Sequence, residues 1–176
     1  METISNILSK RKISLVIILI STMAMAQENV TSNGLEYNYF SITPIEVYEN
    51  KNYGGIAISS SIGFSIKDHL FSFNVSTGAE FVILGWGSTF YQINLLYGRE
   101  FKLGKIIRLD THAGAGIYGF NDHDDTKLTS FGLPLIAKLR FKTGESFSLG
   151  LKFQANINSI ENIQAFGVLL QWNSIK

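Results

Sequence analysis

"ESFSLGLKFQANINS" (residues 145–159) alternates without a break. Phe147, Leu149, Leu151, Phe153, Ala155 and Ile157 fall on one face of an extended chain, and Ser146, Ser148, Gly150, Lys152, Gln154 and Asn156 fall on the other. A period of two marks a strand with two unlike faces, and no helix satisfies it. The preceding segment, "FGLPLIAKLRF" (131–141), repeats the pattern: Phe131, Leu133, Leu135, Ala137, Leu139 and Phe141 oppose Gly132, Pro134, Lys138 and Arg140. Further upstream, Phe71, Phe73, Val75, Thr77, Ala79, Phe81 and Ile83 oppose Ser72, Asn74, Ser76, Gly78 and Glu80. Ile56, Ile58, Ile62, Phe64 and Ile66 likewise oppose Gly55, Ala57, Ser59, Ser61 and Gly63. One face is large and apolar throughout; the other is small or polar.

Turn signals divide the chain into eight such strands, at 36–48, 53–66, 69–84, 88–102, 105–120, 128–143, 145–158 and 163–173. The first is the least regular, because Pro44 and the blurred alternation of "YNYFSITPIEVY" (37–48) fit an irregular or edge-like start. Tight polar turns at Lys67-Asp68, Gly104-Lys105 and Thr143-Gly144-Glu145 alternate with the connections Glu49–Asn52, Gly85–Gly87, Asn121–Lys127 and Ser159–Asn162. In an antiparallel series this puts all the tight turns and both termini at one end. Short turns at one end and longer loops at the other are the pattern of a bacterial outer-membrane barrel.

The termini and composition agree with export. Lys10, Arg11 and Lys12 precede an apolar run, Ile13 to Ile20, and the small residues of Ala24-Met25-Ala26. That order is the order of a secretory signal, and the apolar run is short of the roughly 20 residues a spanning helix needs. Residues 1–26 are therefore expected to be a signal peptide cleaved after Ala26, leaving 27–176 as one barrel domain. Cleavage would take the net charge from +1 to −1, because Glu2 and three basic residues leave with the signal. A near-neutral balance gives no reason to expect nucleic acid as a partner. With no cysteine, the exported chain has neither a disulfide framework nor a lipid-modified cysteine to hold it.

Whether the barrel is soluble or membrane-embedded depends on which face turns inward. A lipocalin-like barrel would turn its large apolar side chains toward a ligand. Here the other face carries Glu80, Asp110, Lys138, Arg140 and Lys152, and each basic residue turned toward hydrocarbon would cost roughly 2–4 kcal/mol near the midplane. Turned inward, these ions can pair with one another and with Glu100, so the apolar face is expected to meet lipid. Strands of about 13 residues also exceed the roughly 9–11 that cross a bilayer at a tilt. Aromatics gather toward the strand ends, as interfacial girdles require. Phe64, Phe71, Phe101, Phe141, Phe147 and Trp172 mark the tight-turn end, and Tyr48, Tyr53, Trp86, Phe90, Tyr118 and Phe131 the other.

The signal peptide, the eight amphipathic strands and the closing segment "IQAFGVLLQWNSIK" (163–176) together resemble the small outer-membrane β-barrels of Gram-negative bacteria, the class that includes the barrel domain of the outer-membrane protein A family. The closing segment is similar to the C-terminal strand by which such barrels are recognised for insertion, although Trp172 is followed by Asn173 to Lys176 where the family ends on an aromatic. The expected fold is all-β: an eight-stranded antiparallel up-and-down transmembrane β-barrel in the cell outer membrane. It is expected to be monomeric, to contact outer-membrane lipid and lipopolysaccharide, and to meet an extracellular ligand of unknown kind through its outer loops.

Three local motifs compete with a purely structural reading. "GAGIYG" (114–119) matches the dinucleotide fingerprint letter by letter, but a polar loop and another strand follow it where a helix should begin. Inward Gly114 and Gly116 are better read as room for bulky neighbours. In "GFNDHDDTKLTSFG" (119–132), Asp122, Asp124 and Asp125, with His123, offer weak loop ligands for a divalent cation. The turn glycine and distal glutamate of a calcium loop are missing, with Leu133 in the glutamate's place. Asp110 and His112 share a strand face and, with Ser59 or Ser61, compose a catalytic triad on paper. A lipid-modifying barrel enzyme would need such groups on the lipid face, where no His-Ser pair is found. No catalytic residue, resident metal or cofactor is therefore expected. The favoured role is non-enzymatic, in membrane integrity or surface interaction, ahead of a small passive channel and a lipid-modifying enzyme.

Overall fold

The computed structural model describes residues 34–51, 54–81, 87–122 and 126–174; the expected signal peptide and its cleavage point at Ala26 lie outside them. Eight strands follow one another: β1 (Glu36–Glu49), β2 (Gly54–Ile66), β3 (His69–Glu80), β4 (Thr89–Lys102), β5 (Ile107–Asn121), β6 (Lys127–Lys142), β7 (Phe147–Asn158) and β8 (Ile163–Asn173). Each pairs antiparallel with the next, and β8 pairs with β1, so the sheet closes into a barrel in chain order. Closure satisfies every strand edge, which an open sheet of this length would leave exposed. The seam is tied at its lower end by Ser174 N donating to Asn38 O at 2.7 Å, while Asn173 N donates to Ser146 O at 2.7 Å on the β7 side of β8.

The strands begin and end close to where the alternation places them. β5 starts at Ile107 and β7 at Phe147, two residues late in each case, because Leu103 N donates to Ile107 O at 3.1 Å and Thr143 N to Phe147 O at 3.2 Å. Each of these bonds closes a wider turn than the expected Gly104-Lys105 and Thr143-Gly144-Glu145. β3 ends at Glu80 rather than at 84. The larger departure is in β1. Tyr39, Ser41 and Thr43 are buried, then Pro44 and Ile45 both face outward, and burial resumes at Glu46 and Tyr48. Both ladders of β1 shift register at this point. Pro44, which has no N–H to contribute, sits in a β-bulge that reverses the parity of the strand. β1 is thus an interior member of a closed sheet rather than an edge.

The outward face is an apolar belt. Ile45, Val47, Ile56, Ile58, Phe73, Ile93, Leu95, Ile117, Leu133, Leu135, Phe153 and Val168 are all exposed, an area far larger than a water-soluble monomer presents. Hydrocarbon is the solvent that tolerates it. Leu95, 69 % exposed near the middle of β4, gives a direct check: Leu95→Arg is expected to destabilise the barrel by about 2–4 kcal/mol. Urea unfolding in lipid vesicles measures this, and Leu95→Phe, which keeps the face apolar, should fold as the parent does. The lower girdle is present, with Phe71, Phe141 and Trp172 exposed and Phe147 packed on Trp172 at 5.4 Å between ring centres.

The upper girdle is not as the sequence places it. Tyr48, Phe90 and Tyr118 are buried inside the barrel, whereas Phe131 faces out; Tyr53 and Trp86 lie outside the described residues. Inversion of the bulged strand turns Tyr48 inward, and Phe90 and Tyr118 occupy the inward parity of β4 and β5. Rings this large fit a narrow barrel only beside glycine. A Cβ at Gly55 would strike the Tyr48 ring, one at Gly78 the Phe90 ring, and one at Gly63 the Tyr39 ring. Gly114 and Gly116, expected to make room for bulky neighbours, instead let β5 approach β4 closely, since side chains there would run into the backbone of Leu95 and Ile93 and the amide of Asn94.

Candidate functional site: the barrel interior and the outer rim

The interior is layered. Nearest the tight turns, Arg140 donates through Nε and Nη2 to the two carboxylate oxygens of Asp110, at 2.6 and 2.8 Å. It also reaches Glu100 Oε2 at 2.5 Å and Asn173 Oδ1 at 3.0 Å. Asp110 is fully buried, and Arg140 is its cation; Glu100 is partly open and also has Arg108 at 3.8 Å. The planar guanidinium fork suits this two-oxygen grip, which a lysine could not reproduce.

One layer up, Lys138 takes a different role from the one its charge suggests. It donates to Tyr39 Oη at 3.1 Å and Ser41 Oγ at 3.2 Å, and its ammonium lies 4.3 Å from the centre of the Tyr39 ring. Among the described residues it forms no ion pair. The expected Lys138 salt bridge is thus replaced by neutral acceptors and a cation–π contact, which compensate a buried ammonium less fully than a carboxylate. Lys152 stands directly beside Lys138 in the β6–β7 register but turns the other way. It pairs with Glu46 Oε1 at 3.0 Å and donates to Ser59 Oγ at 2.7 Å, while Ser59 also donates to Glu46 in a short contact. Glu46 was missed by sequence reading because the bulge puts it on the parity of an outward residue. Glu80, grouped there with the interior ions, belongs to the outer rim: its carboxylate accepts from Ser88 N at 3.0 Å, and its own N–H donates to Ser88 O.

Above the ions lies an amide layer. Gln92 Oε1 accepts from Gln154 at 2.8 Å and Asn156 at 3.0 Å, and Asn94 donates to Asn74, which donates to Ser61 Oγ at 3.0 Å. An apolar cap completes the column at the outer end, built of Tyr48, Ala57, Phe90, Tyr118, Phe120, Ile163 and Ala165, with Ile160 packed against it. Tyr48 meets Phe90 edge-on at 4.8 Å, and Phe90 stacks on Tyr118 at 6.1 Å. The sequence anticipated a polar lumen; its outer third is instead aromatic.

The paper triad is not assembled. Asp110 is held by Arg140, Ser59 by Glu46 and Lys152, and His112 approaches Tyr39 Oη at 3.4 Å through Nε2 while its Nδ1 meets no partner. "GAGIYG" lies within β5, and β6 follows. Of the loop acids, Asp122 accepts from Ser88 Oγ at 3.1 Å and donates its N–H to Thr126 O at 3.0 Å; His123, Asp124 and Asp125 lie outside the described residues.

The outer rim carries a cleft of about 570 Å³ between the β1–β2 and β7–β8 connections, lined by Glu49, Asn50, Lys51, Asn158, Ile160, Glu161, Asn162 and Gln164. Asn158 shapes one wall: its Oδ1 accepts from the N–H groups of Ile160 at 2.9 Å and Glu161 at 2.8 Å, and its Nδ2 donates to Glu161 O at 2.7 Å. An asparagine that caps its own loop in this way makes a short connection rigid.

No family model matches the sequence, and no curated protein matches it. Solved structures do match by shape. The crystal structure of Neisserial surface protein A superposes with a TM-score of 0.67 at 12% identity, covering 80% of this chain and 99% of that one. Ail, the attachment invasion locus protein of Yersinia pestis, solved in complex with the heparin analogue sucrose octasulfate, gives 0.54 at 13% identity over 78% and 98%. The N-terminal β-barrel domain of Pseudomonas aeruginosa OprF gives 0.53 at 14% identity over 79% and 100%. At such identities the likeness is one of fold, and with the closed eight-strand meander and the lipid-facing belt it makes this chain an eight-stranded transmembrane β-barrel of the outer-membrane type.

Proposed function

We propose that the protein is a non-enzymatic surface barrel whose outer rim meets an extracellular partner. The observation that carries this reading is the filled interior. Ions, amides and aromatic rings occupy the lumen from the lower turns to the outer cap, as expected of eight strands, whose interior is only wide enough for side chains. The chemically varied surface left to face the outside is then the rim and its cleft. A passive channel would need a continuous wet path, which the aromatic cap opposes.

The cleft favours a particular kind of partner. Glu49 and Glu161 give it two carboxylates against the single ammonium of Lys51, with Asn50, Asn162 and Gln164 as amide donors and acceptors. A neutral, hydroxyl-rich or weakly cationic ligand suits that set. A sulfated polyanion like the one bound to Ail would be repelled by the carboxylates. The test replaces 49–51 and 159–162 with Gly-Ser turns and follows cell attachment and dye uptake together. Loss of attachment at unchanged dye exclusion is the expected result. A barrel that still folds and attaches, but leaks dye, would move the role to membrane integrity.

A further inference from the structure

The outward side of β3 and β4 carries polar groups at the lower edge of the belt. His69 and Arg99 are register partners on these strands and point the same way as the exposed Phe71 and Tyr97 next to them. His69 Nδ1 and Tyr97 Oη lie 2.7 Å apart, and Phe71 meets the Tyr97 ring edge-on at 5.6 Å. Arg99 sits between Tyr97 and Phe101 along β4, at the level of the lower girdle. Its Nε is shielded from solvent and meets no acceptor, and among the described residues no carboxylate lies within ion-pairing distance of it. Glu100, its neighbour in sequence, points inward to Arg140, and Asp68 in the adjoining turn makes no bond to it.

The protein's own atoms close off the Nε, so a ligand outside the barrel can meet this half-buried side chain only through its Nη groups, the end that an arginine in a membrane turns toward the interface. At this depth, outside the barrel, the acceptor available in a bilayer is a lipid phosphate. We propose that Arg99, with Tyr97 and His69, forms a site for the phosphate of an anionic phospholipid in the periplasmic leaflet. The two Nη groups can meet two phosphate oxygens, and the Tyr97 hydroxyl or the His69 ring supplies another donor. On β5, the residues paired with Arg99 and Tyr97 are Thr111 and Ala113. These are small, so the wall beside the guanidinium stays low and an acyl chain can lie along it. Lys67, Lys102, Lys105 and Lys142 are exposed at the same end, against the exposed Glu36 and Glu145 and the half-buried Asp68, and this excess of lysines favours anionic over zwitterionic headgroups.

The test uses the full barrel, folded and reconstituted into nanodiscs of equal phosphatidylglycerol and phosphatidylcholine, then released into mild detergent for native mass spectrometry. The wild type is expected to retain one phosphatidylglycerol in preference to phosphatidylcholine. Arg99→Gln should lower that retention about fivefold, while Lys127→Gln at the outer rim should leave it unchanged. Heat-modifiable gel migration confirms that each variant is folded; should Arg99→Gln not insert, His69→Ala, which leaves the charge in place, is expected to lower retention as well. Equal retention of the two lipids by the wild type, or retention unaltered in a folded Arg99→Gln and in His69→Ala, overturns the site. Displacement of the lipid by millimolar inorganic phosphate also overturns it, since the group would then bind an anion rather than a lipid.

Discussion

Arg140→Met should cost the barrel about 3–5 kcal/mol. The reason lies in Asp110, whose side chain is fully buried and whose two oxygens are both held by the guanidinium at 2.6 and 2.8 Å. Methionine fills much of the same volume but leaves a carboxylate in the barrel interior without a cation. Glu100 suffers less, because it is partly exposed and retains Arg108. Asn173 would lose its bond from Arg140 yet still accept from Gln171 at 2.8 Å. Urea unfolding in lipid vesicles measures the loss. The double variant Arg140→Met/Asp110→Asn should regain most of it, because removing both charges also removes the penalty of burying one alone. A single-variant loss below about 1 kcal/mol, typical of exposed pairs, would mean that water reaches Asp110 and the lower lumen is wet.

The second large effect is expected at the cap. Phe90 stands between Tyr48 and Tyr118 and over Gly78, so Phe90→Ala removes the ring that joins the other two. Truncating a buried phenylalanine typically costs about 3–5 kcal/mol. Here it should also change behaviour in the membrane: the space opened beside Tyr48 and Tyr118 connects the outer rim with the amide layer of Gln92, Asn94 and Gln154. A folded Phe90→Ala barrel is expected to show ion current where the parent shows none. Destabilisation without current would place the tightest closure lower, at the Arg140 and Lys152 layers.

Strand number, order and facing were legible from the alternation of residues such as Phe147 to Ile157, because only one solvent arrangement suits an apolar outer face and a charged inner one. What escaped was whatever depends on a local break in that period or on position around the circle. Pro44 marked β1 as irregular, but the sequence does not say which residue is the extra one, so Glu46 and Tyr48 changed sides unseen. Lys138 was correctly turned inward, yet its partners Tyr39 and Ser41 lie on a strand distant in sequence. Only the closure of β8 onto β1 brings that strand round to meet it. Phe90 and Tyr118 looked like girdle residues because aromatic side chains near a strand end serve a membrane interface and a lumen cap equally well. The cleft at the outer rim left almost no signal, since its amides are ordinary loop residues until the fold sets two connections side by side.

The closed lumen is the premise on which the surface role rests, and a planar bilayer reads it directly. Wild-type protein, refolded and inserted, should give no steady current steps above the unmodified membrane at physiological salt. Stable steps that scale with protein insertion would contradict the account, because the ion, amide and aromatic layers would then line a path rather than fill it.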